Sequence, residues 1–307
     1  MLEGSDKKYF ENLLGLQEFD CLAVGAISFK NNNFQKMELS KPDNILQRNG
    51  LYFDLASITK PFCLATSKLI RPDIFNNELN LLINHRGGLP WWGRLARDSW
   101  REKIASYEIK ESDTVYSDYS ALRAMIEIEK LIGKPLYEFV SVSWDKYLKS
   151  WLDLAPTDKC AVTGFRNGKN IIGEVHDPNA FVLKERVSHA GLFGTIDGVC
   201  KTLLNLNNKY DLLETVMRSF HDNERNRFIG GWDTVVDCEN TLAGKGVSKF
   251  TFGHLGFTGT SLWIDIKRRA GQIILTNATQ KYWYNKNGLN DLRKSIGEKL
   301  WKRFSIE

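Results

Sequence analysis

Ser57 and Lys60 are the residues whose types and spacing could do chemistry, in the stretch Asp54-Leu55-Ala56-Ser57-Ile58-Thr59-Lys60-Pro61-Phe62. An apolar run ends there and a helical pattern begins, so Ser57 falls at a helix start with Lys60 one turn on. Residues three apart share a helix face, which brings the amine within reach of the hydroxyl. A serine hydroxyl is a poor nucleophile near neutral pH and needs an adjacent base. A lysine can be that base only if burial or a neighbouring cation lowers its pKa. The helix N-terminus adds backbone N–H groups suited to negative charge on an acylated intermediate. The alternative is an N-cap serine followed by a surface lysine.

Further stretches bear on this pair. In Tyr116-Ser117-Asp118 the phenol could shuttle a proton if cations lower its pKa. Otherwise Tyr116 packs and Ser117 or Asp118 caps a helix. Glycines in Phe252-Gly253-His254-Leu255-Gly256-Phe257-Thr258-Gly259-Thr260-Ser261 let a substrate lie close to the backbone at the start of a strand. A strand edge offers N–H groups to an oxyanion, and His254 could hold or relay charge beside it. The alternative there is a glycine-rich turn with an incidental histidine. Asn84-His85-Arg86-Gly87-Gly88-Leu89-Pro90-Trp91-Trp92 and Ser188-His189-Ala190-Gly191-Leu192-Phe193-Gly194-Thr195 read as loops punctuated by glycine. His85 and Arg86 would brace the first loop, Trp91 and Trp92 line a cleft or fill a core, and His189 is read as structural. His176 and Asp177 could orient a loop facing the site. No pair of these stretches has metal-ligand spacing, so no metal is expected, and chemistry through an acylated serine calls for no organic cofactor.

These side chains need a frame. Helical spacing predicts a helix over 6–16, and 21–29 reads as a strand turning at Asn31-Asn32-Asn33 into a second strand at 34–39. Residues 51–55 are extended and lead into a helix over 57–69. After the break at Pro72, helical patterns cover 78–84, 98–106, 119–132 and 135–148, with Gly133 and Pro135 as a stop and restart. Beyond Gly164 the pattern is mixed, with helices at 195–206 and 211–219 and strands at 261–265 and 271–277. A last helix over 288–304 puts Leu289, Leu292, Ile296, Leu300 and Trp301 on one face. The order implies an α/β protein of the α+β type, with an antiparallel sheet built from both chain ends and flanked by helices. Residues 1–71 plus 165–307 would form the sheet domain, 72–164 a helical insertion domain, and the cleft between them the site.

Bulk properties narrow the partners. The 307 residues, 42% apolar and 26% charged, are enough for a full core. A net charge of +5 without a basic run gives no reason to expect a nucleic-acid partner. Met1 to Lys8 has no apolar stretch behind it, and no later run is long enough to span a bilayer. The expectation is no membrane partner and a cytoplasmic protein, or a periplasmic one if an export signal was trimmed. Five scattered cysteines (Cys21, Cys63, Cys160, Cys200, Cys238) are read as free thiols, mostly buried. The expected partner is a small-molecule or peptide substrate, and the sequence carries no sign of oligomeric state.

Taken in order, Ser57-Ile58-Thr59-Lys60, His85-Arg86-Gly87-Gly88-Leu89-Pro90, Tyr116-Ser117-Asp118, His176-Asp177-Pro178-Asn179-Ala180, His189-Ala190-Gly191-Leu192-Phe193 and His254-Leu255-Gly256-Phe257-Thr258-Gly259-Thr260 resemble the serine β-lactamase-related family. The closer similarity is to its class C branch of esterases, D-peptidases and muropeptide amidases, from about residue 20 onward. The resemblance implies a β-lactamase/transpeptidase-like fold. Ser57 would be the acylated nucleophile and Lys60 its activating partner. Tyr116 would pass the proton to the leaving group and later activate water. Backbone N–H groups of Ser57 and Phe257 would form the oxyanion hole, with Asp118, Gly256, Thr258, Trp91 and His176 contacting substrate. His254 stands where β-lactamases carry the lysine of Lys-Thr-Gly, and Asp118 where many members have asparagine. A permanent cation holds a substrate carboxylate, whereas histidine is mostly neutral above about 6.5.

Both departures favour an ester or amide hydrolase acting through an acyl-enzyme, with cell-wall peptides or muropeptides implied only by the resemblance. The alternatives are a D-Ala-D-Ala carboxypeptidase or weak β-lactamase, and, from another class, a catalytically silent binding module. If His254 must be neutral, activity is expected to rise through a pKa near neutrality.

Overall fold

The computed structural model describes residues 2–42, 50–222, 227–281 and 285–304. The chain opens with α1 (Gly4–Gly15) and the hairpin of β1 (Cys21–Ser28) and β2 (Asn33–Ser40). Asn32 turns the hairpin with a positive φ of 50°, a conformation asparagine tolerates. Next come β3 (Phe53–Asp54), a 3-10 turn at Ala56–Ile58, a π-helical turn at Pro61–Ala65 and α2 (Thr66–Ile70). One continuous helix was expected over 57–69. Pro61 has no N–H to give the Ser57 carbonyl, and the helix is broken into these pieces around it.

The helices α3 (Asn77–Ile83), α4 (Trp100–Ala105), α5 (Asp118–Ile132) and α6 (Leu136–Ser141) follow consecutively. Gly133, with a φ of 69°, closes α5 where the sequence indicates. The helix expected over 135–148 stops early. Asp145 caps the Tyr147 N–H at 3.0 Å and gives its own N–H to Thr202 Oγ1 at 2.9 Å, which turns the chain into β4 (Leu148–Ser150). Then come β5 (Val162–Arg166), β6 (Lys169–Ile172), α7 (Pro178–Leu183), β7 (Leu192–Gly194), α8 (Ile196–Tyr210) and α9 (Leu212–Asp222). The chain finishes with β8 (Phe228–Ile229), β9 (Trp232–Thr234), β10 (Thr251–Leu255), β11 (Ser261–Asp265), β12 (Ala270–Thr276) and α10 (Lys286–Phe304).

Seven strands form one antiparallel sheet in the order β2-β1-β12-β11-β10-β9-β8, so the two ends of the chain meet where β1 pairs with β12. The alternation of β1 sends Cys21, Ala23 and Ile27 into the apolar layer under α8, and Leu22, Val24 and Ala26 into the layer under α1 and α10. Gly25 is glycine because α8 packs against it: a Cβ there would stand 2.7 Å from Cys200 Sγ. A small antiparallel sheet, β3-β7-β4, fixes the chain just before Ser57. The fold is thus mixed α and β, with an antiparallel sheet flanked by helices. Among the described residues no helix is long and apolar enough to cross a membrane.

Candidate active site

The turn that presents Ser57 is strained and tied down on every side. Ala56 has a φ of +46°, a left-handed conformation that costs an L-residue about 1–2 kcal/mol. Asp54 Oδ1 accepts the Ala56 N–H at 2.8 Å, and the Leu55 N–H donates to the Leu192 carbonyl at 2.9 Å. From the far end of the chain, the Thr258 hydroxyl donates to the Asp54 carbonyl at 2.6 Å and the Thr260 hydroxyl to the Leu55 carbonyl at 3.1 Å. Asp54 Oδ2 accepts the His176 N–H at 2.7 Å. Burial pushes the Asp54 carboxyl up to about 6, against the pull of those two N–H donors.

Lys60 lies under Ser57 and is 2% exposed. Its Nζ donates to Ser57 Oγ at 3.0 Å and to the His189 carbonyl at 3.0 Å, and stands 2.7 Å from Asp118 Oδ1. Burial pulls the ammonium toward neutrality, but Asp118 and then Tyr116 outweigh it and hold Lys60 above the usual lysine value. The expectation of a lysine with a lowered pKa is therefore corrected: the amine beside Ser57 is a held cation. Tyr116 has its phenol within hydrogen-bonding reach of both Lys60 and Ser57, and Lys60 Nζ lies 4.9 Å from its ring centre. Burial raises the phenol pKa more than Lys60 lowers it, so Tyr116 is a neutral donor and acceptor rather than the acidified phenol the sequence suggested.

The Tyr116-Ser117-Asp118 turn is bolted to the loop before it. The Ser117 N–H donates to His85 Nδ1 at 3.1 Å, the Ser117 hydroxyl to the Pro90 carbonyl at 2.6 Å, and the Asp118 N–H to the Trp91 carbonyl at 2.9 Å. Ser117 Oγ also accepts the Ser120 N–H at 2.9 Å, capping α5 and aiming Asp118 from its first turn at Lys60. Behind Tyr116 stand His85 and His254, with ring centres 4.7 and 5.9 Å away. His254 was expected to take part in the chemistry beside the substrate. It is buried behind Tyr116, with Nδ1 on the Leu255 carbonyl at 2.8 Å and no hydrogen-bond partner for Nε2 among the described residues. Burial, then Lys60, takes its pKa down to about 3. A rise in activity through a His254 pKa near neutrality is therefore not what this site gives.

Ser57 opens onto a cleft of about 500 Å³ whose walls include Trp91, Trp92, Tyr116, Asp118, His176 and Phe257. The sequence left Trp91 and Trp92 between cleft and core; they are on the cleft, and Trp91 is 66% exposed. His176 faces Phe257 with ring centres 5.6 Å apart. Gly256 and Thr258, expected to contact substrate, lie behind the wall. The Thr258 hydroxyl is used on the Asp54 carbonyl, and a Cβ on Gly256 would meet the Leu55 carbonyl at 2.6 Å. They shape the turn that carries Phe257.

Two supports escaped the sequence reading. Asp54 is one, although a lone carboxylate inside an apolar run next to the serine was a signal. The other is Asn179, whose side chain accepts the Leu95 N–H at 3.0 Å and donates to the Gly93 carbonyl at 2.9 Å, fixing the loop of Trp91 and Trp92. Asp177 caps α7 and meets His189 Nε2 at 3.0 Å on the same wall, which with Ala180 holds its carboxyl at about 2 against the effect of burial. Among the described residues no group of three or more histidine, cysteine and carboxylate side chains could hold a metal ion.

No family model matches the sequence, and comparison with curated proteins finds no match. Solved structures do match. A class C β-lactamase from Rhodobacter sphaeroides superposes with a TM-score of 0.68 at 16% identity, over 99% of this chain and 100% of that one. A β-lactamase from Mycobacterium bovis superposes with a TM-score of 0.59 at 16% identity, over 96% of this chain and 99% of that one. The resemblance drawn from the motifs is thus matched at the level of the fold, and over nearly its whole length the chain has the β-lactamase-like fold.

Proposed function

We propose that the chain is a serine hydrolase that cleaves an ester or amide through an acyl-enzyme on Ser57. The observation that carries this reading is a hydroxyl 3.0 Å from a buried lysine amine and within reach of a phenol, at the wall of a cleft. Ser57 Oγ attacks the carbonyl, and the N–H groups of Ser57 and Phe257 take up the charge on its oxygen. The Ser57 proton leaves through Lys60, and Tyr116 delivers a proton to the departing atom. Water then attacks the acyl-enzyme by the same route. The strain at Ala56 fits a nucleophile held in one pose.

The cleft also bears on the substrate. No lysine or arginine is among the described residues that line it, and Asp118 and Asp177 are. A carboxylate-bearing substrate finds no counter-ion there, whereas an uncharged apolar acyl group finds Trp91, Trp92 and Phe257. Esters or amides with neutral acyl groups are therefore the substrate class, ahead of β-lactams or D-Ala-D-Ala peptides. A fluorophosphonate probe should label the wild type, and Ser57→Ala should lose labelling and p-nitrophenyl ester hydrolysis by about three orders of magnitude or more. Equal behaviour of the two proteins would sink the proposal in favour of a silent binding module. Nitrocefin turnover faster than ester turnover would reverse the substrate preference.

A further inference from the structure

Lys60 is already an ammonium in this site, so it is not the final acceptor of the Ser57 proton. Its hydrogens face Ser57 Oγ, the His189 carbonyl and Asp118 Oδ1, and an ammonium has three to give. Tyr116 is neutral, and burial has raised its pKa. The base that touches this cluster is the carboxylate of Asp118, 2.7 Å from Nζ and held in place by its own N–H on Trp91. We propose that Asp118 is the store for the Ser57 proton, which reaches it through Lys60.

This rests on the serine-hydrolase reading. As one N–H of Lys60 passes its proton to Asp118 Oδ1, where an O–H forms, the lone pair freed on Nζ takes the Ser57 proton while Ser57 Oγ bonds to the acyl carbon. The carbonyl π pair moves onto the oxygen facing the Ser57 and Phe257 N–H groups. Lys60 is an ammonium before and after, so its charge stays beside the developing oxyanion throughout. On collapse the proton runs back through Lys60 and Tyr116 to the leaving oxygen or nitrogen as its bond to carbon breaks. Water repeats both halves to release the acid.

The other titratable groups facing Lys60 are Tyr116, His85, His254 and Asp177, with Arg227 paired to Asp233 further out. Tyr116 lies high, His85 well below its usual value, His254 at about 3 and Asp177 at about 2, so none of these four changes charge between about pH 5 and 9. Asp54, in the turn before Ser57, and His189, whose carbonyl Lys60 touches, are common to every variant compared.

The test is the pH dependence of fluorophosphonate labelling for wild type, Asp118→Asn and Asp118→Glu. Without the carboxylate, burial of Lys60 is less opposed and the amine must lose a proton before it can serve. The Asn variant should therefore label about tenfold or more slowly at mildly acidic pH, recover toward alkaline pH, and show an acid limb about one unit or more higher. The Glu variant should keep the wild-type limb. An Asn variant slowed equally at all pH values, as a merely structural role predicts, overturns the proposal. A proton inventory of wild-type ester turnover in mixed light and heavy water needs no variant. A curved, two-proton dependence is expected, and a linear one overturns the relay. If the wild type neither labels nor hydrolyses at any pH, the hydrolase reading fails and this falls with it.

Discussion

Asp54 shows how much of a site can rest on a side chain that never meets the substrate. Its two oxygens accept backbone N–H groups on opposite walls of the cleft, from Ala56 and His176. Its folded pKa of about 6 lies above the ordinary carboxylate value of about 3.9. The folded state therefore binds the proton more tightly, and the stability that protonated Asp54 contributes is lost as pH rises from about 4 to about 6. Asp54→Asn should be the less stable protein at pH 4, because an amide has one acceptor for two N–H groups. It should gain on wild type by up to about 2–3 kcal/mol between pH 4 and 7, followed by thermal melts. A difference that stays flat with pH would count against this account. Ser57 and Lys60 were legible because a helical turn fixes their spacing. The protonation of Lys60 was not, because Asp118 reaches it from another helix.

At the scale of elements, the segment His176-Asp177-Pro178-Asn179 works as a bridge. It touches the Ser57 turn through Asp54, the β7 strand's lead-in through His189, and the tryptophan loop through Gly93 and Leu95. Asn179→Ala would leave the buried Leu95 N–H unpaired, a loss of about 1–3 kcal/mol, and turn the part-buried Gly93 carbonyl over to water. It should lower Tm and raise KM for apolar esters through Trp91 and Trp92, with kcat nearly unchanged. A fall in kcat at constant KM would mean that the bridge serves the chemistry instead. The sequence marked α5, α8 and α10 well, since long amphipathic patterns carry their own period. It merged the pieces around Pro61, ran α6 too far, and left β5 and β6 in a mixed stretch. There the outcome is set by contacts that local periodicity does not encode, such as Asp145 on Thr202.

For the molecule as a whole, the central fact is how far apart in sequence the two halves of the site lie. Arg293 of α10 donates to the carbonyls of Gly256 at 3.2 Å and Thr260 at 2.9 Å, and so steadies the turn bearing Phe257. That turn is joined to the Ser57 turn by the Thr258 and Thr260 hydroxyls across 204 and 205 residues. Strands at both termini hinted that the ends converge; the hydroxyl ties did not show, because threonine reads alike in strand and tie. Closing loops of that length comes late in folding, after local helices have formed. On refolding from denaturant, ester turnover should lag measurably behind the far-ultraviolet helical signal, and coincident recovery would argue against late closure. If the proposed hydrolase reading holds, a newly made chain would be inert until its ends meet, with Ser57 and Lys60 in place early and the cleft completed only by the last fastening.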